Sequence, residues 1–199
     1  MQIDFANDSS AVRLFVAVEL DRAAKAAIAE EQRRIAASLR DARSSLKWVK
    51  PDQMHLTLVF LGEVPEEQAS KLVDAVGRPV SLPPFEIAFA GLGMFPPHGA
   101  PHVLWIGATD AARNLADLQQ EMASRAAACG VALESRPFHP HLTLGRWSRS
   151  RASDRRIADG SSSAAVIARV DVREATLFHS RLGPSGSTHI ALTRATLSG

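Results

Sequence analysis

One tetrapeptide, His-Leu-Thr-Leu, occurs twice in this chain of 199 residues, at 55–58 and again at 141–144. The surroundings repeat with it. Before the first copy the pattern predicts a strand at RLFVAVE (13–19), a helix from Arg22 to Arg40 started by Asp21, and a short strand at Leu46–Val49. Before the second it predicts a strand at HVLWIGA (102–108), a helix capped by Thr109 or Asp110 and ended by Gly130, and a short strand around Val131–Leu133. Leu14 stands 41 positions before His55, and Val103 stands 38 before His141. Self-similarity in both order and spacing is the mark of a duplicated structural unit. It predicts an α+β chain of two related lobes. A further helix from Pro65 to Gly77, a strand at Phe85–Ala90 and two late strands, around Val166–Phe178 and His189–Thr196, complete the expected elements.

The tetrapeptide also limits the chemistry. Side chains alternate across a strand, so His55 and Thr57 share one face while Leu56 and Leu58 share the other, and likewise for His141 and Thr143 against Leu142 and Leu144. The leucines suit a core. Across an approximate two-fold axis, the two His-Thr pairs would face one cleft. Two imidazoles there can act as base and acid near neutral pH. Two hydroxyls can donate to non-bridging phosphate oxygens, and Arg146, just past the second copy, can supply positive charge to them. That set points to a phosphodiester. A single His-x-Thr on a strand is ordinarily structural; two at equivalent places in a chain with 7 histidines are not.

Composition narrows the partners. Basic residues number 23 against 21 acidic, a net charge of +2, which is not the field of a non-specific DNA coat protein. Of the basic residues 19 are Arg and 4 Lys, and the excess reads mostly as compositional bias. Arg149, Arg151, Arg155 and Arg156 fall in a polar stretch, 148–163, that reads as an exposed loop, either solvated or touching a phosphate backbone. The lone Cys129 excludes an internal disulfide and a thiolate metal cluster, and it points to the cytoplasm. No apolar run approaches the ~18 residues of a membrane span, and MQIDFANDSS lacks the pattern of a secretory signal. His139 and His141 bracket Pro140 on one strand face, but no third ligand falls at a zinc spacing. Phe15 and Trp48 are candidates for stacking a terminal base, with core packing the alternative.

The flanks of the two tetrapeptides carry a resemblance. RLFVAVEL (13–20), WVKPDQMHLTLVFLGEV (48–64), VLWIGA (103–108) and PFHPHLTLGR (137–146) resemble the RNA 2′,3′-cyclic phosphodiesterase family, also called 2′-5′ RNA ligase, of the two-histidine phosphoesterase superfamily. The likeness spans about residues 12–197. It implies a bilobal α+β fold, with antiparallel sheets lining a central cleft and helices outside, following a flexible tail at 1–11. It implies an enzyme with no metal or other cofactor that opens RNA 2′,3′-cyclic ends to 2′-phosphomonoesters, with reversible 2′-5′ ligation as a second activity. His55 carries over as proton donor and His141 as acceptor. Thr57, Thr143 and Arg146 carry over as phosphate contacts. The expected partners are RNA ends bearing a cyclic phosphate, tRNA fragments among them, met by a cytoplasmic monomer without a membrane. The pattern departs in the last strand, where His189 stands in GPSGSTHIAL near the family's aromatic residue; there it reads as a partly buried strand residue. Alternatives are a phosphodiesterase for small cyclic nucleotides and a catalytically silent module that binds RNA ends.

Overall fold

The computed structural model describes residues 11–38, 45–157, 165–183 and 186–199. Its elements, in chain order, are β1 (Ala11–Glu19), α1 (Arg22–Ser38), β2 (Leu46–Trp48), β3 (His55–Pro65), α2 (Glu66–Val76), β4 (Phe85–Phe95), β5 (Val103–Thr109), α3 (Ala112–Ala128), β6 (His141–Trp147), β7 (Ala168–Val172), β8 (Glu174–Gly183) and β9 (Gly186–Thr196). Single 3₁₀ turns lie at Pro51–Gln53 and Ala152–Arg155.

The strands form one curled antiparallel sheet in the order β7-β4-β5-β6-β3-β1-β8-β9, with β2 lying against β6 as well. The order divides at its centre. One half holds β3, β1, β8 and β9; the other holds β6, β5, β4 and β7. The halves meet at Leu56 and Leu142, the register pair that joins β3 to β6. The seam therefore passes through the middle of both tetrapeptides. This is the α+β, two-lobed arrangement the repeat predicts.

Burial follows the alternation. Leu56, Leu58, Leu142 and Leu144 are all in the core, with Leu14 and Val16 of β1 and Leu104 and Ile106 of β5. The helices add Ile28 and Ile35 (α1), Leu72 and Val76 (α2), and Leu115, Leu118 and Met122 (α3). Each such side chain stabilises by roughly 1.5–3 kcal/mol. α1 starts where Asp21 Oδ1 accepts the Ala24 N–H at 2.7 Å, a cap that satisfies one of the free donors of the first turn. α3 lacks the predicted cap because both candidates are engaged elsewhere. Thr109 Oγ1 donates to the Ala88 carbonyl, and Asp110 meets Arg169 at 3.4 Å. Gly130 ends α3 as expected, at φ +83°, where only glycine is unstrained.

Three further expectations change. Ala11, assigned to the tail, is the first residue of β1 and pairs with Pro65; 1–10 lie outside the described residues. Val131–Leu133 forms no strand. The Val131 N–H instead closes the end of α3 on the Ala126 carbonyl. The stretch Val166–Phe178 is two strands broken at Arg173, because β7 pairs with β4 in one half while β8 pairs with β1 in the other.

Candidate active site

β3 and β6 run antiparallel through Leu56 and Leu142. This register pair sets the two leucines side by side at the seam. Alternation along each strand then puts His55 with Thr57, and His141 with Thr143, on the face away from those leucines.

Each imidazole is held alike. His55 Nδ1 contacts the Gln53 carbonyl at 2.7 Å, and His141 Nδ1 contacts the His139 carbonyl at 2.7 Å. A carbonyl only accepts, so each Nδ1 carries the proton, and in the neutral ring each Nε2 is left with its lone pair. Burial pushes the pKa of both rings down, His55 to about 4. The carbonyl bonds pull the other way. The charge of Arg146 lowers both, so the guanidinium lies within electrostatic reach of both rings.

Arg146 faces this site because β6 bulges. Across β5, Trp105 pairs with Thr143 but Leu104 pairs with Gly145, leaving Leu144 without a partner there. Strict alternation would send Arg146 to the face opposite His141. The extra residue shifts the phase by one, and Arg146 is exposed between buried Gly145 and Trp147. With Thr57, His141, Phe60, Phe95 and Phe138 it lines a cavity of about 810 Å³. His55 and Thr143 lie outside that wall.

A sequence profile described as the 2′-5′ RNA ligase superfamily matches residues 20–184. The chain belongs to that superfamily. It is 34% identical over 175 residues to the RNA 2′,3′-cyclic phosphodiesterase of Archaeoglobus fulgidus, covering 88% of this chain and 94% of that protein. It is 32% identical over 178 residues to the protein of the same name from Methanothermobacter thermautotrophicus, covering 88% and 93%. Among solved structures it resembles E. coli LigT, at TM-score 0.74 and 27% identity for the apo form, covering 96% and 100% of the two chains. LigT complexed with 3′-AMP gives TM-score 0.72 and 28% identity, covering 95% and 99%.

In this member of the 2′-5′ RNA ligase superfamily Phe15, the candidate for stacking a base, lies beside His55. It is 4% exposed, its ring stacked on Phe178 with centroids 5.2 Å apart and tilted against His55 at 4.8 Å. His189 is edge-on to the same ring at 5.0 Å. Trp48 is half-buried against the core.

Several neighbours of the two histidines are not visible in the tetrapeptides. His189 of β9 stands edge-on to His55 with centroids 5.0 Å apart, in the site and not merely on its strand. Gln53 orients His55 with its carbonyl, and its side-chain amide donates to the Ser187 carbonyl. On the other side Phe95 is edge-on to His141 at 5.0 Å, and Trp105 is edge-on to His139 at 4.8 Å. His139 therefore serves His141 through its carbonyl while its ring packs. Among the described residues no three His, Cys, Asp or Glu side chains form a metal-holding group. The proximity of His189 to His55 had no signal in sequence, since it depends on β9 returning beside β8. In the loop after β6, Arg155 bonds the Gly99 and Pro96 carbonyls, and the Arg151 N–H is capped by Asp154 at 2.7 Å. Arg155 thus ties loop to loop; 158–163 lie outside the described residues.

Proposed function

We propose that the chain hydrolyses RNA 2′,3′-cyclic phosphate ends to 2′-phosphomonoesters, with His141 as general base and His55 as general acid. The observation that carries this is the pairing of the two tetrapeptides through Leu56 and Leu142, with both Nδ1 atoms bound to carbonyls. Two Nε2 atoms are thereby left to face one phosphorus. The names of the relatives and their coverage support the substrate class.

His141 Nε2 takes a proton from water as its oxygen attacks phosphorus. The P–O3′ bond breaks, and His55 Nε2–H protonates the departing 3′ oxygen. The 2′ ester remains. Thr57 and Thr143 hydroxyls donate to the non-bridging oxygens, and Arg146 neutralises the charge gathering there. Burial leaves His55 unprotonated at neutral pH in the free protein; the anionic phosphate beside Nε2 favours the imidazolium and so brings the acid its proton. Acid, base and compensating charge all come from side chains, so the reaction needs no metal. A 5′-hydroxyl in place of water gives a 2′-5′ linkage by the same steps. We place this chemistry in one bilobal unit over 12–199, a cytoplasmic monomer whose partners are RNA ends, tRNA fragments included.

The test is an oligonucleotide ending in a 2′,3′-cyclic phosphate, incubated with wild type and with His141→Ala. Wild type yields a 2′-phosphate, in EDTA as well as without it, and the variant yields almost none. A 3′-phosphate product would sink the leaving-group assignment, and loss of turnover in EDTA would sink metal independence. A mononucleotide cyclic phosphate turned over better than the oligonucleotide would move the substrate to small cyclic nucleotides.

A further inference from the structure

We infer that Gln32, on α1, is a positioning residue that holds Arg146 toward the phosphate. The inference rests on Arg146 being the phosphate contact. Gln32 is a polar side chain in the core, 7% exposed. Its Nε2 donates to two carbonyls at once, Leu144 and Val49, each at 2.9 Å. The Leu144 carbonyl also accepts the Val49 N–H at 2.9 Å. One amide thus ties the residue after β2 to Leu144, the residue that bulges β6.

That bulge decides where Arg146 points. Without it the alternation of β6 would turn the guanidinium to the side away from His141. A bulge is a local departure from the ladder, and its unpaired residue needs other partners to stay fixed. Gln32 and Val49 are those partners. A buried amide making both its donor bonds also holds one geometry, because turning it away forfeits both bonds and buries its own donors unpaired.

The other half supplies a control. β3 bulges at the matching residue, since Ala17 pairs with Thr57 and Val16 with Val59, leaving Leu58 over. The residue that emerges from it is Phe60, not an arginine. α3 carries the apolar, buried Met122 at the place along its length where α1 carries Gln32. Among the described residues no side chain donates to the Leu58 carbonyl. The polar clamp accompanies the arginine and is absent where the arginine is absent.

The experiment is a double-mutant cycle on cyclic-phosphate RNA, with inhibition by inorganic phosphate as a second readout. Gln32→Met keeps length and apolar volume but removes both donors. It lowers kcat/KM roughly 10- to 100-fold, the scale expected when a reacting group is misplaced by about an ångström, and it weakens phosphate inhibition. In an Arg146→Ala background the same change has no further effect on either quantity, although it still lowers Tm. Kinetics are read on protein shown folded by circular dichroism, and Gln32→Asn replaces Gln32→Met if the latter does not fold. Equal losses in both backgrounds would show a general structural role and overturn the inference. If Arg146→Ala alone leaves activity and phosphate inhibition intact, the reading of Arg146 falls first, and the inference with it.

Discussion

The two halves of the site begin alike and part after four residues. His-Leu-Thr-Leu continues as Val59-Phe60 in β3 and as Gly145-Arg146 in β6. Both strands bulge at the fourth residue, so in both the sixth emerges on the polar face. One half thereby presents a phenyl ring, crossed by the Arg13 guanidinium at 5.2 Å, and the other presents a cation. The fifth residue decides what lies alongside. β2 runs against β6 at Gly145, where an added Cβ would come within 2.9 Å of Leu46 Cδ1 and 3.0 Å of the Lys47 carbonyl. Beside Val59 no strand among the described residues takes that place, since Val131–Leu133 does not pair, and the cavity opens there. Duplication supplies two imidazoles in one frame; divergence at two positions makes the frame directional.

The largest effect tests what the halves share. His55→Ala and His141→Ala should each lower kcat by about 10²- to 10⁴-fold, the usual contribution of a positioned acid or base. The double variant should be little worse than either single one, since the pair acts as a unit. Single-turnover assays on cyclic-phosphate RNA check this. Near-normal turnover with either histidine removed would leave the site with one working half.

The next effect tests what they do not share. Arg146→Ala should cost about 10²- to 10³-fold in kcat, as loss of one charge-stabilising donor does elsewhere. Arg146→Lys should recover only part, because an ammonium cannot reproduce the two-pronged guanidinium. Phe60→Ala, at the matching position, should change kcat less than either. Equal losses at Phe60 and Arg146 would contradict the directional reading.

A smaller effect, in stability, tests the fifth residue. Gly145→Val makes β6 resemble β3 and drives a side chain into Leu46 and the Lys47 carbonyl. It should cost about 1–3 kcal/mol, the usual penalty for overpacking, seen as a lower urea midpoint at unchanged slope. An unchanged midpoint would mean that β2 does not require the glycine.

Much of this was legible in the sequence because it rests on short-range rules. The repeat and the alternation within HLTL predict two lobes and the faces of His55, Thr57, His141 and Thr143. Asp21 as a helix start and Gly130 as a helix stop follow from local capping and backbone preference. What was not legible depends on distant chain. Thr109 and Asp110 lose their capping role to Ala88 and Arg169. The stacking of Phe178 on Phe15 depends on β8 returning beside β1. The charge of Arg146 and its nearness to His141 point to it, yet strict alternation argues against it. Only the pairing of β5 with β6 shows the bulge that brings it round. Nothing in the helix pattern singles out Gln32, whose partners lie in β6 and after β2.

The smallest effect separates the halves by depth of burial. In the unfolded chain both histidines titrate near 6.5. Folding lowers both, and lowers His55 to about 4. Between those values the unfolded state binds the proton and the folded state does not, so stability rises with pH across the window. The contribution of a neutral His55 is complete above about pH 6.5 and is lost as pH falls toward 4. His55→Asn keeps a donor where Nδ1 sits, and so keeps the bond to Gln53, but cannot titrate. Wild type should therefore lose about 1–2 kcal/mol more than His55→Asn on going from pH 7 to pH 4.5, the full shift being discounted for the ring's partial contact with solvent. The same comparison for His141→Asn should give a smaller difference of the same sign, because Arg146 and the cavity leave that ring wetter. Urea titrations at the two pH values measure both. If the His141 variant shows the larger difference, the more desolvated imidazole lies on the arginine side, and the two halves differ in burial in the opposite sense.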